Sequence, residues 1–117
     1  MLTRAALFVS VLMLAGCTSP GESGIKAIVG ARLEASFDSK PIPYSVILIA
    51  DGKITAAGPQ AEVPVPKGAE ITRGSGKTVR PAPSTGRIAV GEPADLVIQD
   101  TASGQAQMVM HNGEWMK

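Results

Sequence analysis

With 117 residues the chain has enough length for one domain, and its 11 Lys and Arg against 10 Asp and Glu leave no basic surplus of the kind a nucleic-acid partner requires. One cysteine, Cys17, excludes an intramolecular disulfide, and one histidine, His111, leaves few donors for a hydrolytic zinc site, which takes about three protein ligands. Aromatic residues make up only 3% of the chain, so a core must be assembled from Ile, Val, Leu and Met.

Residues 1–16 are expected to be an export signal rather than part of the domain. Arg4 supplies a positive start, and Ala5 to Leu14 are apolar apart from Ser10. That run is too short to cross a bilayer comfortably, which takes about 20 residues. Leu14-Ala15-Gly16-Cys17 reads as a lipobox, and thioether lipidation gives the lone thiol of Cys17 a use. Cleavage before Cys17 removes Arg4 and leaves ten charges of each sign, so attachment to a membrane rests on acyl chains and not on polybasic attraction. Each buried methylene contributes about 0.8 kcal/mol, so two or three chains hold firmly.

Residues 17–24 form the lipidated tether. Thr18-Ser19-Pro20-Gly21-Glu22-Ser23-Gly24 has no large apolar side chain, and its proline and glycines oppose regular structure. It reaches at most about 25 Å, which keeps the domain near the membrane surface. The segment resembles the start of bacterial lipoproteins. That resemblance implies processing by signal peptidase II, palmitate among the acyl groups and, with Thr18 after the cysteine, an outer-membrane location facing the periplasm.

From Ile25 to Lys117 the signals are those of β-structure. Ile25 to Leu33 is a strand candidate interrupted by Gly30, which marks a bulge or a close backbone approach. Ser45 to Ala50 is a continuous apolar run rich in β-branched residues, expected to be buried on both faces. Asp51-Gly52 then predicts a type I′ hairpin turn into Lys53 to Ala57. Pro59 to Gly68 carries too many prolines for a central strand. Glu70 to Thr72 and Lys77 to Arg80 are short strand candidates, and Asp95 to Gln99 is a buried one. Ala106 to Asn112 alternates, with Ala106, Met108 and Met110 on one face. Asn112-Gly113 predicts a second hairpin turn, with Glu114 to Met116 returning. No segment beyond the signal has helical periodicity. The expected fold is all-β, a small half-barrel or sandwich-like sheet of roughly seven short strands.

Gly74-Ser75-Gly76-Lys77-Thr78 invites comparison with a phosphate-binding loop, but Ile71 stands where that motif needs glycine, and a strand rather than a helix follows. A glycine-rich turn is the better reading. Ser84 and Ser103 have no base other than His111, and a hydrolase triad also needs an orienting carboxylate and an oxyanion hole. Asp95 is read as a turn cap, His111 as an ordinary strand residue, and Trp115 with Met108 and Met110 as core. No catalytic residue, metal site or cofactor is expected.

Two strings carry a family resemblance. Ile47-Leu48-Ile49-Ala50-Asp51-Gly52-Lys53-Ile54-Thr55-Ala56-Ala57-Gly58 is similar to the entry hairpin of the amidohydrolase superfamily, and Gly91-Glu92-Pro93-Ala94-Asp95-Leu96-Val97-Ile98 resembles the exit from its catalytic barrel. Gly76-Lys77-Thr78-Val79-Arg80-Pro81 is the usual run-up to that barrel. Here Pro81-Ala82-Pro83-Ser84-Thr85 bridges run-up and exit with no barrel between. The resemblance implies that residues 25–117 are the family's composite β-domain without its catalytic part. The family's His-x-His pair has no counterpart, so no catalytic residue transfers. Three functional expectations follow: a non-catalytic interaction or structural module, a subunit completing a separately encoded barrel, or a deletion relic. The face left by the missing barrel is the expected site of a protein partner or of self-association.

Overall fold

Eight strands and no helix make up residues 24–83 and 85–116, which are the residues that the computed structural model describes. The expected export signal, Cys17 and nearly all of the expected tether lie outside them. Among the described residues no helix is long and apolar enough to cross a membrane. The strands are β1 (Lys26–Leu33), β2 (Ile42–Ala50), β3 (Lys53–Pro59), β4 (Glu70–Arg73), β5 (Lys77–Pro81), β6 (Leu96–Asp100), β7 (Ala106–His111) and β8 (Glu114–Trp115). They form a single sheet in the order β3-β2-β1-β5-β6-β7-β8, with β4 also paired to β1. The expectation of an all-β domain is met.

β1 organises the sheet. One edge pairs antiparallel with β2, and the other pairs in parallel first with β4 and then with β5. β4 and β5 therefore run in line along β1, interrupted by Gly74-Ser75-Gly76. Gly30 has φ +91° and sits at a register shift between Val29 and Ala31, as its position in the sequence predicts. The buried Ser45 hydroxyl donates to the Ala31 carbonyl at 2.7 Å, satisfying a backbone acceptor at this irregularity.

Gly74 answers a second steric demand. A Cβ placed there would lie 2.6 Å from the Ala31 Cβ and 3.1 Å from its Cα. Only a residue without a side chain lets the β4–β5 junction lie this close to β1. The apparent phosphate loop is thus a turn, closed by the Lys77 N–H on the Gly74 carbonyl at 2.9 Å.

Period-2 alternation sorts the side chains onto two faces. The larger core lies on the face carrying Ile28, Leu33, Ile47, Ile49, Val79, Leu96, Ile98 and Met110, all buried. Met108 and Trp115 pack at its margin, in line with their reading as core. Each fully buried Ile or Leu contributes about 1.5–3 kcal/mol, which is how so few aromatics suffice. The opposite face holds a smaller cluster of Ala27, Val46, Leu48 and Val63, roofed by the proline-rich segment after β3. Ser45 to Ile49 are consequently buried on both faces, as their unbroken apolar run predicts.

Candidate functional site

Both dipeptide turns adopt the expected conformation. Asp51 and Gly52 have φ of 53° and 78°, and Asn112 and Gly113 have 47° and 82°. The two turns also meet. The Ala94 N–H donates to the Gly52 carbonyl at 2.9 Å, and the Gly113 N–H donates to the Ala94 carbonyl at 3.1 Å. Lys26 at the start of β1 adds a bond from Nζ to the Gly113 carbonyl at 2.9 Å.

Beside this junction lies a cluster of chemistry-bearing side chains. Asp95 is only 8% exposed. Its Oδ1 accepts the Asn112 backbone N–H at 2.7 Å and lies 3.2 Å from His111 Nδ1. Its Oδ2 accepts the Thr85 hydroxyl at 3.1 Å. Asp95 thus caps a turn, as expected from the sequence, and ties residues 81–95 to the β7–β8 hairpin. His111 is an exposed residue at the end of β7. A neutral imidazole with its proton on Nδ1 donates to Asp95 and leaves Nε2 to accept from the Asn112 amide 3.3 Å away.

An oriented imidazole is half of a hydrolytic arrangement, and a nucleophile at Nε2 with oxyanion donors is the other half. The Thr85 hydroxyl is committed to Asp95. Ser103 lies beyond the far end of β6, where its backbone N–H bonds Asp100 at 2.8 Å. Ser84 lies outside the described residues. Among the described residues, no three His, Cys, Asp or Glu side chains gather closely enough to hold a metal ion. The cluster is suited to holding backbone in place.

The His111–Asp95 contact was not singled out in the sequence, and it becomes visible only once the β6–β7 register is known. Leu96 pairs with Met110, so one step outward along that antiparallel register residue 95 faces residue 111.

A different surface is suited to binding. On the outer face of the sheet Arg80 stands opposite Val97, and Val97 opposite the exposed Val109. Met116, exposed, follows β8 and donates its N–H to Val109. Where this face meets the end of β1, a cleft of about 360 Å³ is lined by Glu34, Phe37, Arg80, Pro83, Val97 and Gln99. Phe37 is 96% exposed at its lip. Glu34 sits between two guanidinium groups, 3.3 Å from Nε of Arg32 and 3.3 Å from that of Arg80. These exposed pairs contribute little to stability, roughly 0–1 kcal/mol each, but give an apolar surface a charged border.

No family model and no curated protein matches this chain. A solved structure of molinate hydrolase is similar over 50% of the chain at 29% identity, with a TM-score of 0.45. The chain spans 13% of the length of that enzyme.

Proposed function

We propose that this chain is a membrane-tethered, non-catalytic β-module of the bacterial cell envelope, derived from an amidohydrolase by loss of the barrel and anchored through acyl chains on Cys17. The observation that supports it most is the pairing of β5 with β6. Lys77 to Pro81 and Leu96 to Asp100 pair antiparallel across five residues. In the resemblance these strands are the run-up to a barrel and the exit from it. Here they zip together directly, and the core closes over them with Val79 and Ile98 buried side by side.

The module acts by binding protein. The apolar outer face with Phe37, Val97, Val109 and Met116 is the surface it offers, either to a partner or to a second copy. Apolar surface of this kind on an exported domain marks an interaction site.

Crosslinking and pull-down from native membranes, with the purified mature chain assayed for metal and for amide or ester hydrolysis, tests the proposal. The expected result is capture of a defined partner or a homodimer, no stoichiometric zinc and no turnover. Capture of a barrel protein that gains activity from this chain would replace the reading with that of an assisting subunit. Stoichiometric zinc together with turnover by the isolated chain would overturn it. Cys17→Ser is expected to release the protein from the membrane fraction, and retention there would refute the lipid anchor.

A further inference from the structure

The Asn112-Gly113 turn can lose ammonia by a ring closure that Asp51-Gly52 undergoes only more slowly and with water as the leaving group. In an Asn-Gly pair the glycine nitrogen attacks the asparagine Cγ, the Cγ–Nδ2 bond breaks, and ammonia leaves a succinimide ring. Water then opens the ring at either carbonyl, giving aspartate or isoaspartate. No oxidant or cofactor takes part. Ring closure needs a Gly113 N–H free to lose its proton and room for that nitrogen to reach Asn112 Cγ.

The fold withholds both. The Gly113 N–H is committed to the Ala94 carbonyl at 3.1 Å, and Gly113 is buried. Gly52 Cα lies 2.9 Å from where a Cβ on Gly113 would stand, so the turn has no slack on that side. The Asn112 N–H is held by Asp95 at 2.7 Å, and its side-chain amide rests 3.3 Å from His111 Nε2. We propose that Asn112-Gly113 is a fold-gated deamidation site, sealed while the two turns are docked and reactive once the β7–β8 hairpin lifts from Ala94.

The gate is one-way for the isoaspartyl product. An aspartyl residue at 112 keeps the turn, since Asp51-Gly52 has the same conformation. An isoaspartyl link adds a methylene to the backbone between residues 112 and 113. The Gly113 N–H then cannot reach Ala94 while Gly113 packs on Gly52, and the hairpin does not redock.

Incubating the full chain at mildly alkaline pH, folded in buffer and unfolded in guanidinium chloride, with peptide mapping of the product, tests this. Conversion at Asn112 is expected to be at least about tenfold slower in the folded chain, because only the open fraction reacts. Equal rates would overturn the proposal. Asp95→Asn, which weakens the hold on the turn, is expected to raise the rate in buffer. A folded Asp95→Asn protein that reacts no faster than the parent would count against the gate. If that variant does not fold, the folded-against-unfolded comparison decides alone. Asn112→Asp is expected to keep the parent's denaturation midpoint and the purified isoaspartyl chain to lose it. An isoaspartyl chain with an unchanged midpoint would refute the one-way step.

Discussion

Gly52 and Gly113 meet backbone to backbone: a Cβ on Gly113 would come within 2.9 Å of Gly52 Cα, and one on Gly52 within 3.0 Å of the Asn112 carbonyl oxygen. Each glycine also has a positive φ that an L side chain resists by about 1–2 kcal/mol. Gly113→Ala combines both penalties and is expected to destabilise the domain by about 2–4 kcal/mol. Urea denaturation followed by tryptophan fluorescence reads this, because Trp115 packs against the core two residues away. A loss no larger than that of Gly104→Ala, where φ is +75° and the space is open, would show that the docking contributes nothing.

At Gly74 the conflict is one of contact rather than of turn conformation. Gly74→Ala would drive a methyl into Ala31 and is expected to cost about 1–3 kcal/mol, the usual range for overpacking. Ala31→Gly in the same chain removes the nearest atom but leaves the Ala31 Cα and N at 3.1 Å, so rescue should be partial. A double-mutant cycle on denaturation free energies measures the coupling, and purely additive losses would contradict the close approach.

Ser45→Ala removes the hydroxyl that satisfies the Ala31 carbonyl inside the sheet. A buried acceptor left without its donor costs about 1–3 kcal/mol. The expected readouts are a lowered urea midpoint and faster amide exchange around Gly30. Ser45→Thr keeps a hydroxyl and should lose less.

Acid should loosen the β6–β7 connection. The Asp100 carboxylate accepts the Ser103 backbone N–H at 2.8 Å, and this bond, with the Ser103 side chain and more weakly Lys77 opposite, holds its pKa below the ordinary carboxylate value. A carboxyl whose pKa is lower in the folded state stabilises that state above its unfolded pKa, and the contribution fades as pH falls through the folded pKa. Denaturation midpoints from neutral to acid pH should therefore fall more steeply for the parent than for Asp100→Asn. Parallel curves for the two proteins would disprove the linkage.

Much of this architecture is legible in the residues because the governing interactions are local. Asp51-Gly52 and Asn112-Gly113 dictate their turns through the backbone conformations those residues tolerate. Ser45 to Ile49 signal two-sided burial through composition, and Gly30 announces a bulge. Asp95 reads correctly as a cap. What could not be read is the company these elements keep. Nothing near Glu70 says that it runs parallel to Lys26, since that pairing crosses the whole β2–β3 hairpin. Gly74 reads as an ordinary turn glycine until Ala31 is placed against it. The outer row of Arg80, Val97 and Val109 depends on the β5–β6–β7 register, which no short motif encodes. The tether and Cys17 remain expectations of the sequence alone.

Ala94 accepts from one turn and donates to the other, and the two turns, at residues 51–52 and 112–113, lie far apart along the polypeptide. A growing chain can pair β1 through β5 early, yet Val79 and Leu33 stay bare until Leu96, Ile98 and Met110 emerge. Residues 96–110 therefore act as a clasp, and a chain shortened before Leu96 is left with one side of its core bare, a sticky half-product fit for proteolysis.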